Sequence, residues 1–392
     1  MRPNLLALCL AAFAGSLLLS ACAERQEPRP LATLPPKVAS PHQASSPVQR
    51  PSPPQSQPIR PSQAWRGEAW SGPASAGWSD LPGWAEEDHA AALRAFAAGC
   101  TERRASPLAN ICARARAMGE VDEADARAFL EASFRPAPAG EDGLLTAYFT
   151  PIYEAREFPD DEFSAAVRPR PLNIPRAGAP AGTYADRSEI EAQATLEALA
   201  WLRPEDLFFL QVQGSGVLVF PDGTRRRAVF DGSNGAPFTA IAVPLRAQGE
   251  LAPSDASGNA VHAWLAANRG ERAQAVMDLD RRYVFFRLIP DDGGAPAGAA
   301  GLRLTPGRAV AVDPQRHTLG EVLWIDGEAP TLRGAAVSYR RLAMALDTGG
   351  AIRGDVRADL YLGVGPQAGL EAGRVRHRLK LWRLEPVADA TP

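Results

Sequence analysis

Residues 346–365 read Leu346-Asp347-Thr348-Gly349-Gly350-Ala351-Ile352-Arg353-Gly354-Asp355-Val356-Arg357-Ala358-Asp359-Leu360-Tyr361-Leu362-Gly363-Val364-Gly365. Asp347 sits between an apolar run and a glycine pair, and Asp359 starts a short apolar strand candidate. The interleaved glycines permit positive φ and close approach by another backbone or a ligand. Carboxylates held by tight, glycine-punctuated β segments suit acid–base chemistry. Turn capping by Asp is the competing reading, because Asp and Gly dominate turns for local reasons. Upstream, Leu304-Thr305-Pro306-Gly307-Arg308-Ala309-Val310-Ala311-Val312-Asp313-Pro314 places Asp313 at the end of another apolar run. Three aspartates therefore fall on successive β-like segments.

Further stretches agree with one pattern, in order. Leu144-Leu145-Thr146-Ala147-Tyr148-Phe149-Thr150-Pro151 predicts a strand ending at proline. Then come Phe208-Phe209-Leu210-Gln211-Val212-Gln213-Gly214-Ser215-Gly216 and Phe230-Asp231-Gly232-Ser233-Asn234-Gly235-Ala236-Pro237-Phe238. With these, the chain resembles the membrane-bound lytic transglycosylase A family, whose C-terminal "3D" domain is named for three such aspartates. The resemblance covers residues 80–386. The match is incomplete at Ala147, Phe149 and Thr150, and Glu154 does not fill the place of a missing family Glu. Phe230 and Phe238 lack the hydroxyls of the family's tyrosines.

The chain has 392 residues, 45% hydrophobic and 22% charged, with net charge −3. That length suffices for one large or two medium domains. The charge balance argues against a nucleic-acid partner, which calls for a basic patch. Arg2 followed by an apolar run over 5–20 and Leu19-Ser20-Ala21-Cys22 reads as a lipoprotein signal peptide (1–21) with Cys22 as the lipidated residue. Ala23 after the cysteine points to the outer membrane. Residues 22–64, rich in Pro, Gln and Ser, read as an extended tether. Cys100 and Cys112 lie on the apolar faces of two expected helices, which favours a disulfide in an exported protein. Two buried thiols are the alternative. The five histidines are scattered, so no metal is implied, and no cofactor motif stands out. Gly214-Ser215-Gly216 lacks the Gly-Lys-Ser/Thr of a phosphate loop.

Apolar spacing predicts helices across 80–135, with Asp122 capping the third and Pro136 stopping it. A helix is expected at 188–201, with Ser188 and Glu191 as its capping box, and another at 259–278. Residues 207–216 are expected as a strand and turn, and 300–386 as all β.

The resemblance implies an α+β, mainly β architecture: a discontinuous domain at 65–155 and 286–392 with N-terminal helices and a double-psi β-barrel, and an inserted smaller β domain at 156–285. It implies a peptidoglycan lytic transglycosylase that cleaves the MurNAc-β-1,4-GlcNAc bond and forms 1,6-anhydro-MurNAc. Asp359 is the implied catalytic acid, with Asp347 and Asp313 as supporting neighbours. Tyr148, Gln213, Gly214, Ser215, Gly216, Asp231, Asn234 and Gly235 are the implied sugar-binding positions. The implied partners are glycan strands and, through the lipid anchor, the outer membrane, with wall-synthesis or wall-remodelling proteins as further candidates. A wall-binding lipoprotein without catalysis and a muramidase-type hydrolase on the same fold are alternatives. An aspartic protease would need a second Asp-Thr-Gly beside Asp347-Thr348-Gly349, and there is one copy.

Overall fold

Three helices open the described chain: α1 (His89–Ala98), α2 (Ala109–Met118) and α3 (Glu123–Ser133). The computed structural model describes residues 77–100, 108–176, 178–193, 197–252, 257–335 and 337–387; Cys22, the signal segment and the tether lie outside these. Asp88 caps α1 by accepting from Ala91 N, and Asp122 caps α3 by accepting from Asp125 N, as the sequence predicts for Asp122. Cys100 and Cys112 form a disulfide with their Cα atoms 5.7 Å apart.

The chain continues through β1 (Phe134–Thr150), β2 (Ile152–Glu154), β3 (Ala165–Val167), α4 (Arg187–Glu191), β4 (Ala200–Leu202), α5 (Pro204–Gln213), β5 (Ser215–Val219) and β6 (Arg225–Ser233). Then follow α6 (Ala242–Ala247), α7 (Gly258–Ala267), α8 (Glu271–Met277), β7 (Val284–Pro290), β8 (Ala309–Val312), β9 (Val322–Gly327), β10 (Tyr339–Thr348), β11 (Arg357–Val364), α9 (Pro366–Ala372) and β12 (Arg376–Pro386).

Six strands close a barrel in the order β1-β11-β8-β10-β9-β12. It is mixed: β1 runs parallel to β11 and β8 to β10, while the other four pairings are antiparallel. Period-2 alternation sends Leu145, Val310, Leu323, Ile325, Leu360 and Leu381 into the barrel. The alternate residues, among them Val322, Trp324, Met344, Tyr361 and Trp382, pack outward against the helices through Trp84, Phe96, Ile111 and Leu130. Between β2 and β7 lies a second layer, a sheet ordered β2-β5-β6-β7 with a β3-β4 ribbon. Of its outer strands, β2 lies just before the boundary drawn at 155/156 and β7 runs across the one drawn at 285/286.

Several expectations change. β1 begins at Phe134, not near 144, and takes in Pro136. That first stretch of β1 is paired on one side only, by β12, where proline is tolerated. Residues 207–213 are helical, not extended: Pro204 begins α5, Glu205 and Asp206 occupy its first turn, and Gly214 ends it at φ 77°. The helix expected at 188–201 is only α4, and its capping box is Asp186 with Glu189. The helix at 259–278 is two, α7 and α8, broken around Gly270 at φ 99°. α9 interrupts the C-terminal β region; a Cβ at its Gly369 would stand 2.7 Å from the Phe149 ring, so only glycine permits this approach to β1.

Candidate active site

Ala311 of β8 is flanked by two carboxylates. It pairs with Asp359 of β11 on one side and with Asp347 of β10 on the other. Asp359 in turn faces Thr146 of β1, and Thr146 faces Arg376 of β12. Five strands thus place Asp347, Ala311, Asp359, Thr146 and Arg376 in one row. Tyr361 and Ala309, two residues along from Asp359 and Ala311, pack on the helix side, so the row lies on the outer surface of the barrel.

Asp347 reaches that surface through a register shift. Met344 and Ala345 pair with Ala309 and Val310, but Ala311 faces Asp347 and not Leu346. The extra residue is a β-bulge. Without it Asp347 would pair with Val312 and turn toward the apolar interior.

The two carboxyls are held differently. Asp347 accepts from Tyr148 OH at 2.7 Å, from Ala299 N at 2.9 Å and from Thr348 N at 2.9 Å. Asp359 accepts from the Thr146 hydroxyl, which itself accepts from Arg357 Nη2 at 2.8 Å. Burial raises the Asp347 carboxyl above the usual range against the pull of its three donors. Burial also raises Asp359, opposed by Thr146 and the Arg357 charge and assisted by the Asp347 charge. Asp359 therefore has the weaker support for its ionised form. Burial and the Asp347 carboxylate push the Tyr148 phenol well above its usual value, so it stays a donor. The Tyr148 and Tyr361 rings stand 5.3 Å apart, one step along the strands from the row.

The remaining expected site residues divide. Gln213, at the end of α5, is half-buried and its Oε1 accepts from Phe149 N at 3.4 Å, next to Tyr148. Gly214, Ser215 and Gly216 follow it as the helix stop and the start of β5. Asp313 is only 3% exposed; it accepts from Gly354 N at 2.8 Å and Gln315 N at 3.1 Å, and these bonds hold its carboxyl below the usual range. It pins the loop between Asp347 and Asp359. Asp231 is engaged by Arg170 at 3.2 Å in the insert. Asn234 is 1% exposed, donates to Ala185 O and Arg281 O, and accepts from Tyr283 N. A Cβ at Gly235 would lie 2.1 Å from Ala179 O. Asn234 and Gly235 lock the β6–β7 corner from within. Thr146 and Arg357 were missed as site residues. The signal was available: each lies two residues before a named one, Tyr148 or Asp359, and so on the same strand face. Among the described residues no cluster of His, Cys, Asp and Glu fits a metal ion.

Comparison with known proteins gives a consistent picture. The family model for the MltA specific insert domain matches residues 144–287, and that for the 3D domain matches 308–385. The membrane-bound lytic murein transglycosylase A of Vibrio cholerae is 31% identical over 62% of this chain, and the chain spans 65% of that relative's length. The crystal structure of a membrane-bound lytic murein transglycosylase from Agrobacterium tumefaciens is 30% identical, with TM-score 0.70 over 80% of this chain and 97% of that one. The structure of E. coli MltA with bound chitohexaose is 26% identical, with TM-score 0.61 over 76% of this chain and 89% of that one.

Proposed function

This chain belongs to the lytic murein transglycosylase A family, and on that footing we propose that it cleaves the MurNAc-β-1,4-GlcNAc bond of peptidoglycan with formation of 1,6-anhydro-MurNAc. The observation that carries the proposal is Asp359: a carboxyl raised by burial, held by one hydroxyl, on the outer face of the barrel beside a second acid. Glycoside hydrolases use one carboxyl as acid and a second as base or nucleophile. Here one group does both. The Asp359 carboxyl gives its proton to the glycosidic oxygen, and the GlcNAc side leaves. The resulting carboxylate takes the proton of the MurNAc C6 hydroxyl as O6 bonds to C1. No water enters. A carboxyl protonated near neutral pH suits the first step, and burial shifts Asp359 in that direction.

Asp347, held by Tyr148 and two amides, supplies in its ionised form a negative charge that favours the protonated Asp359 and the cationic sugar at the transition state. Asp313 acts at one remove, through the loop it pins. Gln213 and the turn at 214–216 border the site from the insert, and chitohexaose bound by the E. coli relative supports a saccharide ligand for this chain. Asp231, Asn234 and Gly235 act by shaping that border. The two-part division, with the insert between two halves of the barrel domain, and anchoring of the mature chain at Cys22 to the outer membrane belong to the same proposal.

The experiment is a pH–rate profile for release of soluble sugars from purified sacculi. Activity requires protonated Asp359, so kcat/KM falls as pH rises through its raised pKa. Thr146→Val removes the hydroxyl that favours the ionised form, so the alkaline limb moves to higher pH. Asp347→Asn removes the charge that favours the protonated form, so the limb moves to lower pH, with a loss of rate of about tenfold or more. Shifts of the same sign in both variants contradict the assignment.

A further inference from the structure

Arg282 precedes β7 at the edge of the insert, and its guanidinium is half-buried. Its single hydrogen bond runs from Nη1 to Ala236 O at 3.4 Å, and it forms no ion pair among the described residues. The neighbouring carboxylate, Asp280, is already engaged: one oxygen accepts from Thr239 N and Arg282 N, and the other stands 3.8 Å from Arg187. Burial and the charge of Arg353 hold the Arg282 guanidinium below its usual value, against the pull of Asp280.

The barrel meets this cation with a second one. The loop leaving Asp347 brings Gly350 against the insert; a Cβ there would lie 3.8 Å from Phe238 Cβ and 4.0 Å from Arg282 Cζ. Three residues on, Arg353 is 56% exposed. Its Nη1 donates to the adjacent Ile352 O and forms a long ion pair, 3.7 Å, with an Asp313 carboxylate that also accepts from Gly354 N and Gln315 N. The loop joining the two site acids, which carries Arg353, is thus pressed against the Arg282 guanidinium where barrel and insert touch. Half-burying a cation whose nearest carboxylate is engaged elsewhere is costly, and so is placing a like charge near it. Paired guanidiniums are well matched to a carboxylate.

We propose that Arg282 and Arg353 form a carboxylate-binding subsite that takes the peptide stem of the peptidoglycan strand. The proposal rests on the peptidoglycan reading above. The stem is the carboxylate-rich part of that polymer, whereas the GlcNAc units are neutral. The subsite reads the substituent, and the row around Asp359 acts on the sugar.

The test uses three probes: glycan strands with intact stems, the same strands stripped by an amidase, which keep one lactyl carboxylate on each MurNAc, and chitohexaose, which carries no carboxylate. Titrations at low and at about 150 mM salt give the affinities. The wild-type chain is expected to bind stemmed strands about tenfold tighter than stripped ones, with the preference weakening as salt rises. Arg282→Ala with Arg353→Ala is expected to remove the preference and its salt dependence while leaving chitohexaose affinity unchanged. Arg353→Glu alone, at an exposed position, reverses the charge without touching the core and is expected to invert the preference. A wild-type chain without a stem preference, or variants that keep it, overturns the subsite and leaves the glycan-cleaving reading standing. Parallel loss of chitohexaose affinity also overturns it, since that marks a structural role. A retained, arginine-dependent preference in a chain that releases no sugars supports the subsite and removes the cleaving reading instead.

Discussion

Asp359→Asn is expected to abolish release of soluble sugars from sacculi, a loss of at least about 10²–10⁴ in rate, while leaving the protein folded and able to bind glycan. Asn is nearly isosteric and still accepts from the Thr146 hydroxyl, so the β1–β11 pairing is kept. Stability separates the catalytic role from a structural one. The Asp359 carboxyl is raised by burial, so its contribution to stability is fully present below the ordinary carboxylate range. That contribution is lost as pH rises through the raised value. As pH rises toward 8 the wild-type protein bears the growing cost of this half-buried ionisable group, and the Asn variant does not. The variant should therefore melt at the same temperature or higher at pH 8, with its advantage shrinking toward pH 4. A stabilised but inactive protein is the expected pair of results from thermal melts and product assays. A variant that unfolds at pH 8 would mark Asp359 as a structural ligand.

Arg308→Met is expected to have the largest effect on stability. Arg308 grips Glu87 with two bonds, at 2.9 and 3.2 Å, and donates to Leu342 O at 3.2 Å. Glu87 also accepts from Leu342 N at 2.7 Å. Glu87 is 4% exposed and Arg308 8% exposed, so the pair is cut off from water. It ties the segment before α1 to β10, the strand that carries Asp347. Removing the cation leaves a buried carboxylate without its partner, which costs about 3–5 kcal/mol. Adding Glu87→Gln removes the stranded charge and should recover part of the loss. Denaturant unfolding of the single and double variants checks both statements, and an Arg308→Met loss under about 1 kcal/mol would contradict them.

The acids and the barrel strands were legible because local rules and tertiary structure agree there. Asp359 and Leu360 alternate as a strand residue pair should, one outward and one inward. Asp122 caps α3 because an Asp before an amphipathic run has few better uses. The site's closeness was less legible. The bulge that turns Asp347 outward depends on its register with β8, which no local pattern in β10 reveals. The α5 segment reads as a strand because Phe208, Phe209 and Val212 favour strands, yet the tertiary context buries Leu207, Phe208, Leu210 and Gln211 on one helical face. Asn234 drew attention as a turn residue beside glycines; its side chain is consumed by Ala185, Arg281 and Tyr283. Arg282 comes up against the loop of Arg353 only because the insert folds back onto the barrel, and their separation in sequence hides that.

The most direct measurement is mass spectrometry of soluble products from sacculi digested in H₂¹⁸O by the chain from residue 65 onward, with the Asp359→Asn variant in parallel. Products lighter than hydrolytic muropeptides by one water, free of ¹⁸O and absent with the variant, are expected. Reducing-end products carrying ¹⁸O would contradict intramolecular closure by the C6 hydroxyl, and unchanged anhydro products from the variant would contradict Asp359 as the acid.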